Sequence, residues 1–310
     1  MLYNWHIIGH AKTLEALESE LRNKNISHAY LFAGPEEIGK YAVAQTFAGI
    51  LQCQNNFCHT CPTCIQVKKG HHYDTIEMLD DGTSIKIETI REVIAKLHLS
   101  AQSVYKILLL QNIERLTAEA ANCLLKTLEE PPPKTLFLLT TSNLRVVKST
   151  ILSRVRIHSF RLVSKNILYN ELRKRYGEVP EKTLLKIISF ALGKPGKALK
   201  LINDSELLQW YENTYNDIEI FLKTPNITKQ FSYIDRLIKD EKQTMLFLDI
   251  ALHFLRNLML KGMEKPEVLE TFQKSIPFLA DLIREAQKTK ELIGKNVNMK
   301  LACENFMLKF

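Results

Sequence analysis

The chain has 310 residues, 45% of them hydrophobic and 25% charged, and a formal net charge of +8. Length and apolar content together allow two or three packed domains and exclude a chain too short or too polar to build a core. The positive excess favours work near a polyanion, but it is spread along the chain with no Lys/Arg block.

The N-terminal stretch MLYNWHIIGH lacks the basic start and apolar run of a signal peptide. Residues 13–22 read as an amphipathic helix, with Leu14, Leu17 and Leu21 at helical spacing. Residues 28–33 (HAYLFA) read as a buried strand, followed by a glycine-bounded turn and a helix over 40–51. Further strands are expected at 74–78, 106–110 and 135–141, with helices at 87–99 and 117–128 between them. Strands separated by helices predict a parallel sheet covered on both faces. From about residue 164 the strand signals stop. Helices at 166–176, 181–192 and 197–202 read as a small lid, with Gly177 and Gly193 as stops. Longer helices follow at 206–223, 241–261, 266–289 and 297–308. The most apolar segment, 244–260, is interrupted by Asp249, His253, Arg256 and Asn257. A membrane span of about 20 residues does not carry those charges cheaply, so a buried helix and a cytoplasmic protein with no membrane role are expected. The expected architecture is an α/β P-loop core (1–162), a helical lid (163–205) and a C-terminal helical domain (206–310).

The turn Gly34-Pro35-Glu36-Glu37-Ile38-Gly39-Lys40-Tyr41 lies between a strand and a helix, the setting of a phosphate-binding loop. In such a loop backbone N–H groups and a helix N-terminus face the phosphates, and the lysine adds charge. Gly34, Gly39 and Lys40 are therefore the candidate nucleotide contacts. The next position ordinarily holds a Ser or Thr whose hydroxyl binds Mg²⁺. Here it is Tyr41, whose phenol projects too far to substitute, and Glu37 adds a β-carbon and negative charge. The strand that should end in a metal-holding carboxylate ends in Gln111 and Asn112. Glu114, further along, is expected to point elsewhere. Two lesions thus remove one metal, and ATP or ADP binding is expected to be weak or absent.

Cys53, Cys58, Cys61 and Cys64 follow the spacing C-x4-C-x2-C-x2-C. Four thiolates so close can surround one tetrahedral Zn²⁺ in a structural knuckle over 53–64. Short cysteine spacings also suit an iron–sulfur cluster, and unligated thiols are the third reading. His59, His71 and His72 lie nearby and read as surface residues.

Residues 120–132, AANCLLKTLEEPP, are similar to a box found in the AAA+ subunits of the bacterial DNA polymerase III clamp loader. Leu139-Thr140-Thr141-Ser142 looks like that family's sensor-1 strand, and Thr150-Ile151-Leu152-Ser153-Arg154-Val155 resembles its Ser-Arg-Cys motif. The cysteine knuckle after the loop helix is likewise typical. The resemblance spans the whole layout and is most specific over 26–160. It implies that Arg154, placed by Ser153, acts in trans on ATP held by a neighbouring subunit, where a guanidinium offsets charge on the transferring phosphoryl group. Val155 stands in place of the usual cysteine. The sensor-2 segment, 193–199, has Gly196 where active subunits carry an arginine, a third lesion in one site. The resemblance therefore implies a non-hydrolysing subunit of the DNA polymerase III holoenzyme. Its partners would be motor and delta-type subunits, the sliding clamp indirectly, and primer–template DNA, with residues 206–310 as a collar. Two other readings stand: an active AAA+ motor subunit, favoured by Lys40 and the loop glycines, and a nucleic-acid-binding protein using the knuckle. Against the latter, residues 53–64 contain only Phe57 as an aromatic and no Lys or Arg.

Overall fold

The computed structural model describes residues 3–55, 57–295 and 297–310. Its contacts divide the chain into two units, Met1–Leu199 and Lys200–Phe310.

The first unit opens with α1 (Ala11–Arg22), β1 (Ala29–Ala33), α2 (Lys40–Gln52), α3 (Pro62–Lys68), β2 (Thr75–Met78) and α4 (Ile87–Leu97). It continues through β3 (Lys106–Leu110), α5 (Ala118–Glu129), β4 (Thr135–Thr141), α6 (Ser149–Leu152) and β5 (Arg156–Ser159), then α7 (Lys165–Arg175), α8 (Glu181–Ala191) and the start of α9 (Pro195–Asn203). The five strands form one sheet of order β2-β3-β4-β1-β5, and every pairing is parallel. Because side chains alternate along a strand, each central strand feeds two cores. Tyr30, Phe32, Leu109 and Leu138 pack on one face with Trp5, Leu17 and Phe47. Leu31, Leu108, Phe137 and Leu139 pack on the other with Ile90, Leu97 and Leu124. Each such side chain contributes about 1.5–3 kcal/mol by leaving water, which explains why β1, β3 and β4 read as unbroken apolar runs.

β5 was not among the expected strands. Its sequence, Arg156-Ile157-His158-Ser159, carries three charged or polar side chains and one buried position, so hydropathy conceals it. It pairs along β1, with Ile157 opposite Leu31. β1 is thereby an interior strand, and the loop that follows it emerges beside the C-terminal ends of β4 and β5, a place where open parallel sheets form crevices.

The second unit is helical among its described residues: α10 (Ser205–Lys223), α11 (Ile227–Leu237), α12 (Glu241–Glu264), α13 (Glu267–Phe272), α14 (Ile276–Gly294) and α15 (Met299–Met307). Side chains of Asp204, Asn226, Asp240, Ser275 and Asn298 each accept a backbone N–H at a helix start, which satisfies donors that the first turn leaves open. The helix expected over 266–289 is two. Gln273 turns left-handed at φ 51°, and Ser275 with Pro277 starts α14 afresh. α12 covers the apolar segment 244–260 and buries Phe247, Leu248, Ala251, Phe254 and Leu255. Asp249 pairs with Lys290, and the ring of His253 meets Asn257 at 2.6 Å. Among the described residues no helix is long and apolar enough to cross a membrane.

Candidate functional site

The loop after β1 is shaped by its glycines. A β-carbon at Gly34 would lie 2.4 Å from the Phe160 carbonyl oxygen, and Gly39 starts α2 at φ 101°. Between them Glu37 also takes a left-handed φ of 59°, unusual for a side-chain-bearing residue. Lys40 sits at the first turn of α2, only 6% exposed. Its Nζ donates to Gly34 O and Pro35 O, both at 2.7 Å, so the ammonium is folded onto the carbonyls of its own loop. Burial lowers its pKa to about 8, against the raising influence of the Glu114 and Glu36 carboxylates.

The helical segment from Pro195 is seated directly on this loop. Gly196 N donates to Glu37 O at 2.7 Å. A β-carbon at Gly196 would stand 2.7 Å from that same oxygen. The position expected as sensor 2 is thus occupied by backbone in contact with backbone, and an arginine there has no room without a shift. His10 Nε2 adds a second clamp, donating to Ile38 O at 3.1 Å.

The expected metal-handling positions are committed elsewhere. The Tyr41 hydroxyl donates to the Glu77 carboxylate on β2, and burial raises the phenol pKa above its ordinary value. Gln111 Oε1 accepts from Asp80 N at 2.9 Å, and Asn112 Nδ2 donates to Asp80 Oδ2 at 2.5 Å. Arg115 Nε lies 2.8 Å from the other Asp80 oxygen, completing a neutral, internally bonded corner. Glu114 does not point elsewhere as expected. Its Oε1 accepts from the backbone N and Oγ of Ser142 at 2.7 and 2.5 Å, at the end of the sensor-1-like strand. Its Oε2 is buried without a partner among the described residues, and its charge acts on Lys40. The sequence signal was available only as a carboxylate three residues past the strand; the short 3₁₀ turn over Ile113–Arg115 swings it back.

Arg154 lies at the other end of the sheet strands, just after α6. Its Nη1 donates to Thr150 O and Ser153 Oγ, each at 2.9 Å, and its Nη2 pairs with Glu129 Oε1 at 2.8 Å. Ser153 Oγ in turn donates to Thr150 O at 3.0 Å. The guanidinium is about one-third exposed and borders an open cavity of about 630 Å³.

The four cysteine sulfurs all lie within 4.8 Å of one another. Cys53–Cys61, Cys58–Cys64 and Cys61–Cys64 are separated by 3.8, 3.9 and 3.4 Å. Four sulfurs about 2.3 Å from one tetrahedral ion sit about 3.8 Å apart, so the cage fits a single metal ion such as zinc. A multi-iron cluster holds its thiolates further out. Backbone N–H groups of Asn55 and Cys64 point at Cys53 and Cys61 sulfurs, the support that thiolate ligands receive in metal sites. Hydrogen bonds from Thr60 bring the Cys58 thiol down to about 5. The knuckle is anchored through Phe57, whose ring fills the place where a side chain on Gly49 of α2 would stand, 2.3 Å from the added carbon. Of the nearby histidines, His71 is exposed as expected. His59 is half-buried between Phe57 and His6, and His72 is half-buried with Nδ1 3.1 Å from Thr75 Oγ1.

A parallel five-stranded sheet with a glycine loop after an interior strand, β1, and helices on both faces defines an AAA+-like P-loop protein. The family described as "DNA polymerase III, delta subunit" matches residues 9–164. DNA polymerase III subunit gamma of Buchnera aphidicola subsp. Acyrthosiphon pisum is 31% identical over 256 residues, covering 78% of this chain and 70% of that one. Subunit tau of Bacillus subtilis is 30% identical over 208 residues, 64% of this chain and 37% of its own length. A crystal structure of a gamma subunit-related protein of DNA polymerase III from Thermotoga maritima shares the fold, with a TM-score of 0.54 and 20% identity, over 94% of this chain and 97% of that one. The chain belongs to the DNA polymerase III delta-subunit family, within the clamp loaders.

Proposed function

We propose that this chain is a delta-prime-type clamp-loader subunit that does not hydrolyse ATP itself and supplies Arg154 in trans to the nucleotide site of a neighbouring subunit. The observation that carries the reading is the commitment of Tyr41, Gln111 and Asn112 to Glu77 and Asp80, which leaves no carboxylate or short hydroxyl at the positions where a P-loop ATPase holds Mg²⁺. The folded-back Lys40 and the seat of Gly196 on Glu37 support it. In this reading residues 163–205 form the lid and 206–310 the collar that joins the other subunits. Large apolar side chains left more than half exposed there, among them Ile227, Leu260 and Leu301, suit such a role. The knuckle holds a structural zinc, and the protein works in the cytoplasm beside primer–template DNA and, through its partners, the sliding clamp.

The test is reconstitution with the gamma- and delta-type subunits of the same source. Arg154→Ala is expected to lower DNA-stimulated ATP hydrolysis by as much as about 10³-fold at the site it serves, with unchanged folding. The competing reading, an active motor subunit, draws on the retained Lys40 and loop glycines. Mg²⁺-dependent hydrolysis by the isolated chain that Lys40→Ala abolishes would establish it and overturn the proposal.

A further inference from the structure

Arg154 is held by two helix ends. α6 contributes Thr150 O and Ser153 Oγ, both receiving Nη1, and α5 contributes Glu129, its last residue, whose Oε1 meets Nη2 at 2.8 Å. Nε–H makes no bond among the described residues. The neighbouring Arg156 is fixed differently, by Glu20 at 2.8 Å and Asn25 O at 3.1 Å, so it does not compete for Glu129. The cavity beside them, lined by Ser27, His28, Glu129, Ser153, Arg154 and Arg156, is open to solvent.

We infer that Glu129 is the positioning residue for Arg154, fixing the plane of the guanidinium so that its uncommitted N–H groups face the open side. This rests on the reading of Arg154 as a group acting in trans. A free arginine side chain at a surface loses rotamer freedom when it is ordered. Bonds to Thr150 and Ser153 grip a single nitrogen and leave the plane free to swing about it. A contact at the second nitrogen removes that freedom before the neighbour arrives, and groups preset where charge develops need no reorganisation during reaction. Nε–H remains free, and a planar fork offers paired donors to phosphate oxygens. Glu129 approaches no substrate; its effect passes through Arg154.

The experiment is a double-mutant cycle in the reconstituted loader, with kcat and KM for ATP measured for wild type, Arg154→Ala, Glu129→Gln and the double variant. An exposed ion pair sets the scale: Glu129→Gln is expected to lower kcat about two- to fivefold with KM and melting temperature unchanged. In the Arg154→Ala background it is expected to change nothing further. A Glu129→Gln effect that is absent, that raises kcat, or that persists in full without Arg154 overturns the positioning role and leaves the trans role intact. If Arg154→Ala itself changes nothing, the trans reading fails, and this inference with it. In the free chain, ¹⁵N relaxation of the Arg154 Nε is expected to report greater motion in Glu129→Gln than in wild type. Equal motion in the two overturns the inference independently of activity.

Discussion

The seat of Gly196 on the phosphate loop yields a stability effect that can be worked out beforehand. In Gly196→Ala the new carbon stands 2.7 Å from Glu37 O, 3.2 Å from its carbonyl carbon and 3.3 Å from its Cα, all backbone atoms. Glu37 is already held at φ 59° and has little freedom to retreat. The hydrogen bond from Gly196 N to Glu37 O, 2.7 Å in the wild type, must lengthen, at a cost of about 0.5–1.5 kcal/mol. Overpacking adds about 1–3 kcal/mol. Alanine returns at most about 1 kcal/mol of helix propensity, and less in a first turn. The net expectation is a loss of about 1–3 kcal/mol, and in a unit of this size each kcal/mol moves Tm by about 2–4 °C. Thermal unfolding followed by fluorescence of Trp5, which lies in the first unit, in a Trp210→Phe background isolates the unit concerned. Gly177→Ala is the control, since its β-carbon meets only Arg173 O at an ordinary 3.6 Å, and it should stay within about 0.5 kcal/mol of wild type. If Gly196→Ala melts with or above wild type, the lid is not seated on the loop and the closed phosphate site is wrong. Gly196→Arg carries the same β-carbon and, on the proposed reading, is expected to cost stability without conferring ATP turnover.

Cys61→Ser should weaken metal retention at least about 100-fold, read by metal analysis after dialysis against a chelator, with loosening of the Phe57 packing on α2; a wild-type chain with no stoichiometric metal ends the knuckle assignment. Lys40 predicts a pH dependence. Its pKa falls from 10.5 to about 8 in the folded chain, so the cost of burying the charge is present in full below about pH 8 and is relieved as pH rises toward 10.5. That fall corresponds to about 3 kcal/mol, reduced to about 1–2 kcal/mol by water at the loop. The stability of wild type relative to Lys40→Met should therefore rise by that amount between pH 7.5 and 10 in chemical denaturation; a flat difference refutes the buried lysine.

How much could be read beforehand depended on whether a signal was local. β1, β3 and β4 are buried on both faces, so their apolar runs announced them at nearly the observed bounds. β5 has one buried residue of four, and its strand character comes from pairing with β1, which no window of its own sequence contains. α11 was also missed, and the break at Gln273 depends on a left-handed backbone in a residue that does not advertise one. The site divides the same way. Cysteine spacing anticipated the cluster, because four thiols within twelve residues stay within reach of one another. The orientations of Lys40, Glu114 and Glu129 were not legible, since each is decided by an acceptor or donor elsewhere in the chain: the Gly34 carbonyl, the Ser142 amide and the Arg154 guanidinium.

The polar groups around Asp80 satisfy one another, and this bears on the proposed reading of the corner as a place that holds no Mg²⁺. Asn112→Asp would put a carboxylate in place of an amide that now donates to Asp80 at 2.5 Å, setting two like charges together. Gln111→Asp would retract the oxygen that accepts from the Asp80 amide and leave that donor unpaired. Tyr41→Thr would strip Glu77 of its hydroxyl donor. Each reversal taken singly breaks an existing bond before any metal can repay it, because metal binding needs several ligands at once. On the proposed reading the corner therefore resists one-step conversion into a metal site. Arg154 stands apart from that corner, bonded among the described residues only to Thr150, Ser153 and Glu129, so on the proposed reading its role in trans does not depend on whether the corner can hold a metal.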